Sequence, residues 1–540
     1  MEESEGPERG TMLSLRAFPL GAQAEALPSP RQEARVVPLP LWARRRPALL
    51  LLSAALVALP FLVVTFPPVT DLPQHVAQVR LLHEALGAHG AGPSPYRIQP
   101  FTPYWSVYVL LTGLWALLPP LQVGRIGVLA LGLLWVGGVH ALAWRRGRAA
   151  EAAVLASLPF FNHTLYWGFC SFLVGWPVFL LWLQRVSRPP ARTVGTWLAH
   201  AALAALLFWS HALWFAAGGL TLAMQWALQH RGRDWRSVLL QGSAVLPTAG
   251  LALWWYPQLA ERGFDSPTAW FSGFYQRLSL GWMSNATFGG LHDTIEGPLF
   301  LALLAWLGVG LWQARRELRA RVDVPLLGTA LLLFALVLVL PNEHSNTIRL
   351  AERWMPFSAA LFLLALPAPR LRPHARAAVA LGLSLLLSVA TALAWHRFER
   401  RDLAGLPAAL AALPEHPRVL GLDFLRTSSS VKGRPFLQTF AYAQVLRGGE
   451  LAFSFADFAP SPVVYRDTGR RTWTKGLEWY AARVKPADLE RFDYVLLGAS
   501  PKDQDTVPGR WPSLVPVTTE GRWRLYRVVP AADAADGATP

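Results

Sequence analysis

The sequence predicts a mainly α fold: a polytopic transmembrane helical bundle followed by a small C-terminal α/β domain. Three observations predict it. Of 540 residues, 53% are hydrophobic and only 16% charged, with mean hydropathy +0.29, too apolar for a soluble chain of this length. Long apolar stretches recur from residue 47 to residue 396. Past about Arg397, charged and polar residues return and short alternating runs replace the long apolar ones.

The net charge of +16 does not indicate nucleic acid. Nearly all the cations are arginine, with lysine only at Lys432, Lys475, Lys485 and Lys502. Most of the arginines sit in short loops between apolar segments, which is the positive-inside pattern of membrane topology and not a nucleic-acid stripe. The lone cysteine, Cys170, excludes an intrachain disulfide framework and a cysteine metal cluster. Residues 1–46 are of mixed charge, with no apolar core ahead of Arg44-Arg45-Arg46. They are expected to be a disordered cytoplasmic tail and not a signal peptide.

The first span covers about residues 47–66, and the three arginines before it hold the N-terminus inside. Further apolar stretches follow at about 102–119, 121–144, 149–163, 165–184, 194–209, 211–228, 237–256, 297–313, 325–340, 354–367 and 375–396. The basic loops at 145–148, 185–192, 231–236, 315–321 and 370–376 can all be inside only if residues 102–144 cross an odd number of times. The stretch 102–119 is therefore expected not to span fully, which gives about eleven crossings within a range of 10–13. The alternative is one basic loop that breaks the rule.

With that topology the polar loops 67–103, 257–296 and 342–353 face outward, together with turns at Asn162-His163 and Ser210-His211. Residues 1–46, 47–396 and 397–540 form the tail, the membrane domain and an extracytoplasmic (periplasmic) α/β domain. In the last of these, Arg418–Asp423, Phe492–Gly498 and Arg522–Val529 read as strands. Thr439–Arg447 reads as a helix ended by Gly448-Gly449. No repeat, Walker loop, dinucleotide fingerprint or HExxH motif occurs.

The chemistry concentrates at Thr70-Asp71-Leu72-Pro73-Gln74-His75, directly after the first span. An acid this near the hydrocarbon core is costly, which points to a functional role as a base. If a helix follows, His75 falls one turn on and on the same face, as a pair tuned for proton transfer or for holding a phosphate would. The competing structural reading is that Thr70 or Asp71 caps the helix, with Pro73 tolerated in its first turn.

An outward acid after the first span, a multi-span apolar core and an outer C-terminal domain resemble the GT-C superfamily of membrane glycosyltransferases. Tyr166-Trp-Gly-Phe-Cys-Ser-Phe-Leu-Val-Gly175 and Glu352-Arg-Trp-Met-Pro356 resemble stretches of bacterial members, as do Ala441–Gly449 and Phe492-Asp-Tyr-Val495. A single Asp stands in the first loop where many members carry a paired acid. The resemblance implies transfer of a sugar from a polyprenyl-phosphate-linked donor to a lipid or glycan acceptor, at the outer face of the inner membrane. Asp71 would be the base and His75 its partner. Arg349, Arg353 and His344 are the expected donor-phosphate ligands, since an arginine fork fits phosphate oxygens. Their structural alternatives are pairing with Glu343 and Glu352, or snorkelling at a helix end.

His211, His292 and Asp293 are possible groove-lining residues. No cofactor is expected, and the spacing of His292, Asp293 and Glu296 carries no metal signature. Beyond donor and acceptor, the expected partners are membrane lipids and no nucleic acid. Competing functions are a lipid-linked saccharide flippase or transporter, an O-antigen ligase or polymerase type of enzyme, and a scaffold.

Overall fold

The computed structural model describes residues 41–87, 94–188, 192–230, 235–258, 267–504 and 508–529. Most of the N-terminal tail, and Glu261 and Asp265 of the second outer loop, lie outside the described residues. From Arg46 onward the chain forms one compact unit.

The helices are those the apolar stretches dictate. They are α1 (Leu41–Leu62), α2 (Leu72–Gly87), α3 (Trp105–Trp115), α4 (Pro120–Arg145), α5 (Ala150–Ser157), α6 (His163–Trp167), α7 (Cys170–Val186), α8 (Val194–Ser210), α9 (Ala212–His230) and α10 (Trp235–Trp255). After these come α11 (Leu280–Thr287), α12 (Asp293–Ala314), α13 (Val324–Val339), α14 (Met355–Ala365) and α15 (Pro373–Arg397). Among the described residues, five stretches are long and apolar enough to cross a membrane: Arg45–Leu62, Pro120–Arg145, Val238–Trp255, Ile295–Ala314 and Pro373–Asp402. Five apolar helices are shorter: Trp105–Trp115, Cys170–Val186, Val194–Ser210, Ala212–Leu228 and Val324–Val339.

Helix α3 has eleven residues, so it rises about 16 Å against about 30 Å of hydrocarbon. Arg125, one turn into α4, donates to the Val64 carbonyl at 3.0 Å, and Gly124 packs on Leu72 and Val76. These contacts place the start of α4 beside the end of α1 and the start of α2.

One end of the bundle gathers its basic loops. Arg148 donates to the carbonyls of Arg321, Leu364, Ala365 and Leu366 at 2.6–2.9 Å, tying three chain segments into one basic end. Arg370 pairs with Glu317 at 3.0 Å and Arg376 with Glu151 at 3.5 Å on the same segments. At the other end, the Glu399 carboxylate accepts from the backbone N–H groups of Thr65 and Phe66, which places the exit of α15 beside the loop that carries Asp71.

The C-terminal region forms a five-stranded sheet. In order these are β3 (Glu450–Leu451), β2 (Arg418–Asp423), β5 (Tyr494–Gly498), β7 (Trp523–Val528) and β6 (Leu514–Thr518). Pairs β3–β2 and β2–β5 are parallel, and β5–β7 and β7–β6 antiparallel. The sequence patterns show β2, β5, β7 and the helix Tyr442–Arg447, but not β1 (Tyr96–Ile98) and β4 (Val463–Tyr465). Those two pair antiparallel and join the first polar loop to the C-terminal region. At three residues each, such strands carry no period to read. One apolar cluster runs from Leu49 of α1 to Trp523 and Leu525 of the sheet, so the C-terminal region is built onto the bundle core.

Candidate active site

The site is built where two backbone turns meet. Thr70 N–H donates to the Tyr166 carbonyl at 2.9 Å and Asp71 N–H to the Trp167 carbonyl at 3.1 Å. Gly168 closes this contact with φ +81°, and a Cβ there would sit 2.5 Å from the Asp71 nitrogen. Only glycine meets both demands. The Thr70 hydroxyl donates to the carbonyls of Tyr166 and Arg434. Neither Thr70 nor Asp71 therefore spends its side chain as a helix cap. Pro73 stands in the first turn of α2, where its missing N–H costs nothing.

Asp71 and His75, one helical turn apart, both line a cavity of about 150 Å³ with Tyr104, Phe169, His211 and Arg353. Asp71 is half-buried, and among the described residues no donor reaches its carboxylate. Loss of hydration pushes its pKa up to about 7, against an opposing pull from the Arg353 charge. His75 is differently placed. One ring nitrogen, Nε2, faces the Gly168 carbonyl at 3.0 Å, and the other, Nδ1, faces the Tyr108 hydroxyl at 2.9 Å. A carbonyl only accepts, so Nε2 carries the proton and Nδ1 accepts from the tyrosine. Burial lowers its pKa to about 4, so it is neutral with both nitrogens engaged.

Arg353 enters from the single turn Glu352–Trp354 ahead of α14. Its guanidinium lies 3.7 Å from the Phe169 ring centre and donates from Nε and Nη2 to the Ile348 carbonyl. Nη1 makes no hydrogen bond among the described residues. Burial lowers its pKa to about 10, which leaves it charged at neutral pH. Arg353 and Asp71 act on each other through the field without forming an ion pair. His211, at the turn between α8 and α9, accepts the Leu213 N–H at Nδ1. Burial and the Arg353 charge hold it far below its usual pKa. It is therefore neutral, with its proton on Nε2.

No family model matches the chain, and no curated protein is similar to it in sequence. Among solved structures the chain is similar to the arabinofuranosyltransferase AftD from mycobacteria. The identity is 17%, the TM-score 0.48 and the coverage 90% of this chain. The chain spans 40% of the length of that protein.

The remaining expected site residues stand elsewhere. Arg349 does not line the cavity. Its guanidinium covers the outer face of Trp167 at 5.2 Å, on a backbone with φ 51°. His344 is exposed, with its Nδ1 2.8 Å from the Thr268 hydroxyl. His292 is exposed and lines a different cavity, its Nε2 3.3 Å from the Ser428 carbonyl. Asp293 begins α12, and its side chain lies outside the described residues. Among the described residues no group of three or more His, Cys, Asp or Glu comes together to hold a metal ion.

Several contributors were not visible in sequence. Tyr104 holds φ 88°, a backbone region a bulky side chain enters only when its surroundings force it. Its ring meets His211 edge-on at 4.9 Å. Residues of the 455–462 segment close the cavity and are tied to α2 by two buried glutamines. Gln74 accepts from Phe455 N–H and donates to Gln438 and to the Phe453 carbonyl, while Gln78 accepts from Val463 N–H. The signal was there: Gln74 and Gln78, one turn apart and buried on one face of α2, need polar partners. Arg277, fully buried, donates to the carbonyls of Val337, Leu338 and Leu340 at the C-terminal end of α13 and to Asn342. Asn342 in turn donates to Glu352, next to Arg353. Nothing in the sequence pairs residue 277 with residue 342.

Proposed function

We propose that this protein is a GT-C type membrane glycosyltransferase that moves a sugar from a polyprenyl-phosphate-linked donor to a lipid or glycan acceptor at the outer face of the inner membrane. One observation carries the reading. Asp71 and Arg353 share one small cavity without forming an ion pair, so the base and the cation are both left available to a substrate. In most proteins such a pair would close on itself or be absent.

In this mechanism the acceptor hydroxyl oxygen attacks the anomeric carbon and Asp71 takes its proton. The bond from that carbon to the phosphate oxygen breaks, and the lipid phosphate leaves with the electron pair. Its growing charge is met by Arg353, through the Nη1 side that Ile348 does not occupy, and by the Nε2–H of His211. The neutral His75 orients the turn instead of moving a proton, because both its nitrogens are engaged. The absence of a nucleotide-binding motif supports a lipid-linked donor, and the apolar helices around the cavity give its tail a solvent.

The test compares envelope glycan and glycolipid profiles of a strain lacking the gene, complemented with wild type or Asp71→Asn at matched membrane levels. Restoration of a missing sugar by wild type alone supports the reading, and the changed product names the sugar. Equal restoration by the Asn variant removes Asp71 from the chemistry and favours a transporter or scaffold.

A further inference from the structure

A second cavity, of about 710 Å³, lies between α12 and the exit of α15 and shares no lining residue with the first. Its rim is basic. Arg397, Arg400 and Arg401 come from the end of α15 and the π-helical turn Phe398–Asp402 that follows, and His292 comes from the start of α12. Its wall is apolar, formed by Ala390, Leu393 and Ala394 of α15 and Ile295 of α12, and Leu393 is half exposed.

Three facts make this more than a solvated charge run. Arg397 and Arg400 make no hydrogen bond or ion pair among the described residues, and Arg401 reaches only the Ser429 hydroxyl at 3.4 Å. Among the described side chains, the nearby carboxylates are committed elsewhere. Glu399 is bound to the Thr65 and Phe66 amides, Asp402 to Arg522 and Ser428, and Glu296 to Lys432 and the amides of Gly290 and Leu291. Finally, these cations lie at the Asp71 end, opposite the end where the basic loops gather through Arg148. Cations gathered at one end of a bundle orient it in the membrane, and a cluster at the other end works against that sorting.

We infer that this cavity binds the phosphate of an anionic membrane lipid. The arginine cluster would hold the phosphate oxygens, and the acyl or prenyl chain would lie along Ala390, Leu393 and Ala394. Exposed cations beside an apolar wall match a head that is charged and a tail that is not. Glutamine at the three positions removes the charge while keeping polarity. The inference does not depend on glycosyl transfer, because it concerns retention of a lipid and not turnover.

The experiment uses the full chain in phosphatidylcholine nanodiscs doped with phosphatidylglycerol or with a polyprenyl monophosphate, and native mass spectrometry of the lipid that stays bound. Wild type should retain one of the two dopants over phosphatidylcholine, and which one identifies the source. Arg397→Gln/Arg400→Gln/Arg401→Gln should lower retention about tenfold or more, and the triple Lys variant should restore most of it. Ala394→Trp, which fills the wall and keeps the charges, should lower it as well and serves if the triple Gln variant does not fold. Equal retention by the triple Gln and wild-type proteins overturns the inference. So does retention of phosphatidylcholine equal to that of both dopants. Displacement of the lipid by millimolar inorganic phosphate also overturns it, since the site would then recognise a free anion.

Discussion

Two carboxylates near the Asp71 end of the bundle are treated in opposite ways. Glu296, one turn into α12, is almost fully buried. It accepts the amides of Gly290 and Leu291 at 2.8 and 2.6 Å and the Lys432 ammonium at 2.9 Å. Asp71 is half-buried, its carboxylate accepts nothing among the described residues, and it faces a cation that does not close on it. Glu296 is satisfied by the protein itself and joins the 290–296 turn to the C-terminal region through Lys432. Asp71 carries a desolvation cost that the Arg353 charge offsets only in part. A buried acid with a full set of partners holds structure, whereas one without them is kept for a ligand or a proton.

The sharpest way to break this comparison is Asp71→Asn. If Asp71 is the base, transfer should fall by about 10²–10⁴, as for loss of a general base. Stability should not fall. The folded pKa lies above its ordinary value, so stability is lost as pH rises from 3.8 to about 7 through ionisation of Asp71, and Asn avoids that loss. At pH 8 the thermal midpoint of the Asn variant should equal or exceed that of wild type. A drop in midpoint alongside the activity would make Asp71 a structural acid like Glu296.

Next in size is Arg353. Arg353→Gln should cost about 10²–10³ in transfer rate if its charge meets the leaving phosphate. Arg353→Lys should recover part of this, because the ammonium keeps the charge but cannot both hold the Ile348 carbonyl through a planar fork and stack on Phe169. Steady-state rates with saturating donor separate the two variants. Equal rates for Gln and Lys would leave Arg353 as a packing element only.

The contrast also shows how much the sequence could reveal. The apolar stretches gave the helices, and Asp71, His75, His211 and Arg353 were readable because each sits where an apolar run ends, where a polar residue is conspicuous. Arg349 and His344 share an outward loop with Arg353, and the sequence groups all three as phosphate ligands. Two left-handed turns, at Ser345-Asn346 and at Arg349, and the cross-bond from Asn342 to Glu352 send them to other neighbours. Asn346, Thr347 and the 455–462 segment reach the cavity only through long-range pairing, such as β1 with β4, that no local period encodes. His75 was expected to share the proton transfer because residues four apart on a helix share a face. The spacing was informative, but the two partners that occupy its nitrogens come from α3 and from Gly168.

A smaller effect follows from pH. With the Asp71 pKa pushed up to about 7, the base form is the minor one in mild acid. The rate should rise about tenfold per unit up to that point and level off above it. Since the Arg353 charge pulls the Asp71 pKa down, the residual activity of Arg353→Gln should show its rising limb at higher pH than wild type. A limb that stays in place would mean that another group sets the profile.

The smallest effect on activity belongs to the satisfied acid. Glu296→Gln keeps an oxygen for the Gly290 and Leu291 amides but removes the charge that meets Lys432, whose side chain retains some access to solvent. The cost should be about 2 kcal/mol of stability, within the range for losing a charged hydrogen-bond partner in a buried setting. Transfer per folded molecule should stay within about threefold of wild type, because Glu296 does not line the cavity that holds Asp71. Thermal unfolding in detergent measures the first quantity, and activity normalised to monodisperse protein measures the second. The pair of substitutions then crosses over: Asn at 71 abolishes turnover and spares the fold, and Gln at 296 weakens the fold and spares turnover. Activity loss at 296 on the scale of Asp71→Asn, with the fold intact, would place the reacting groups at the 290–296 turn instead.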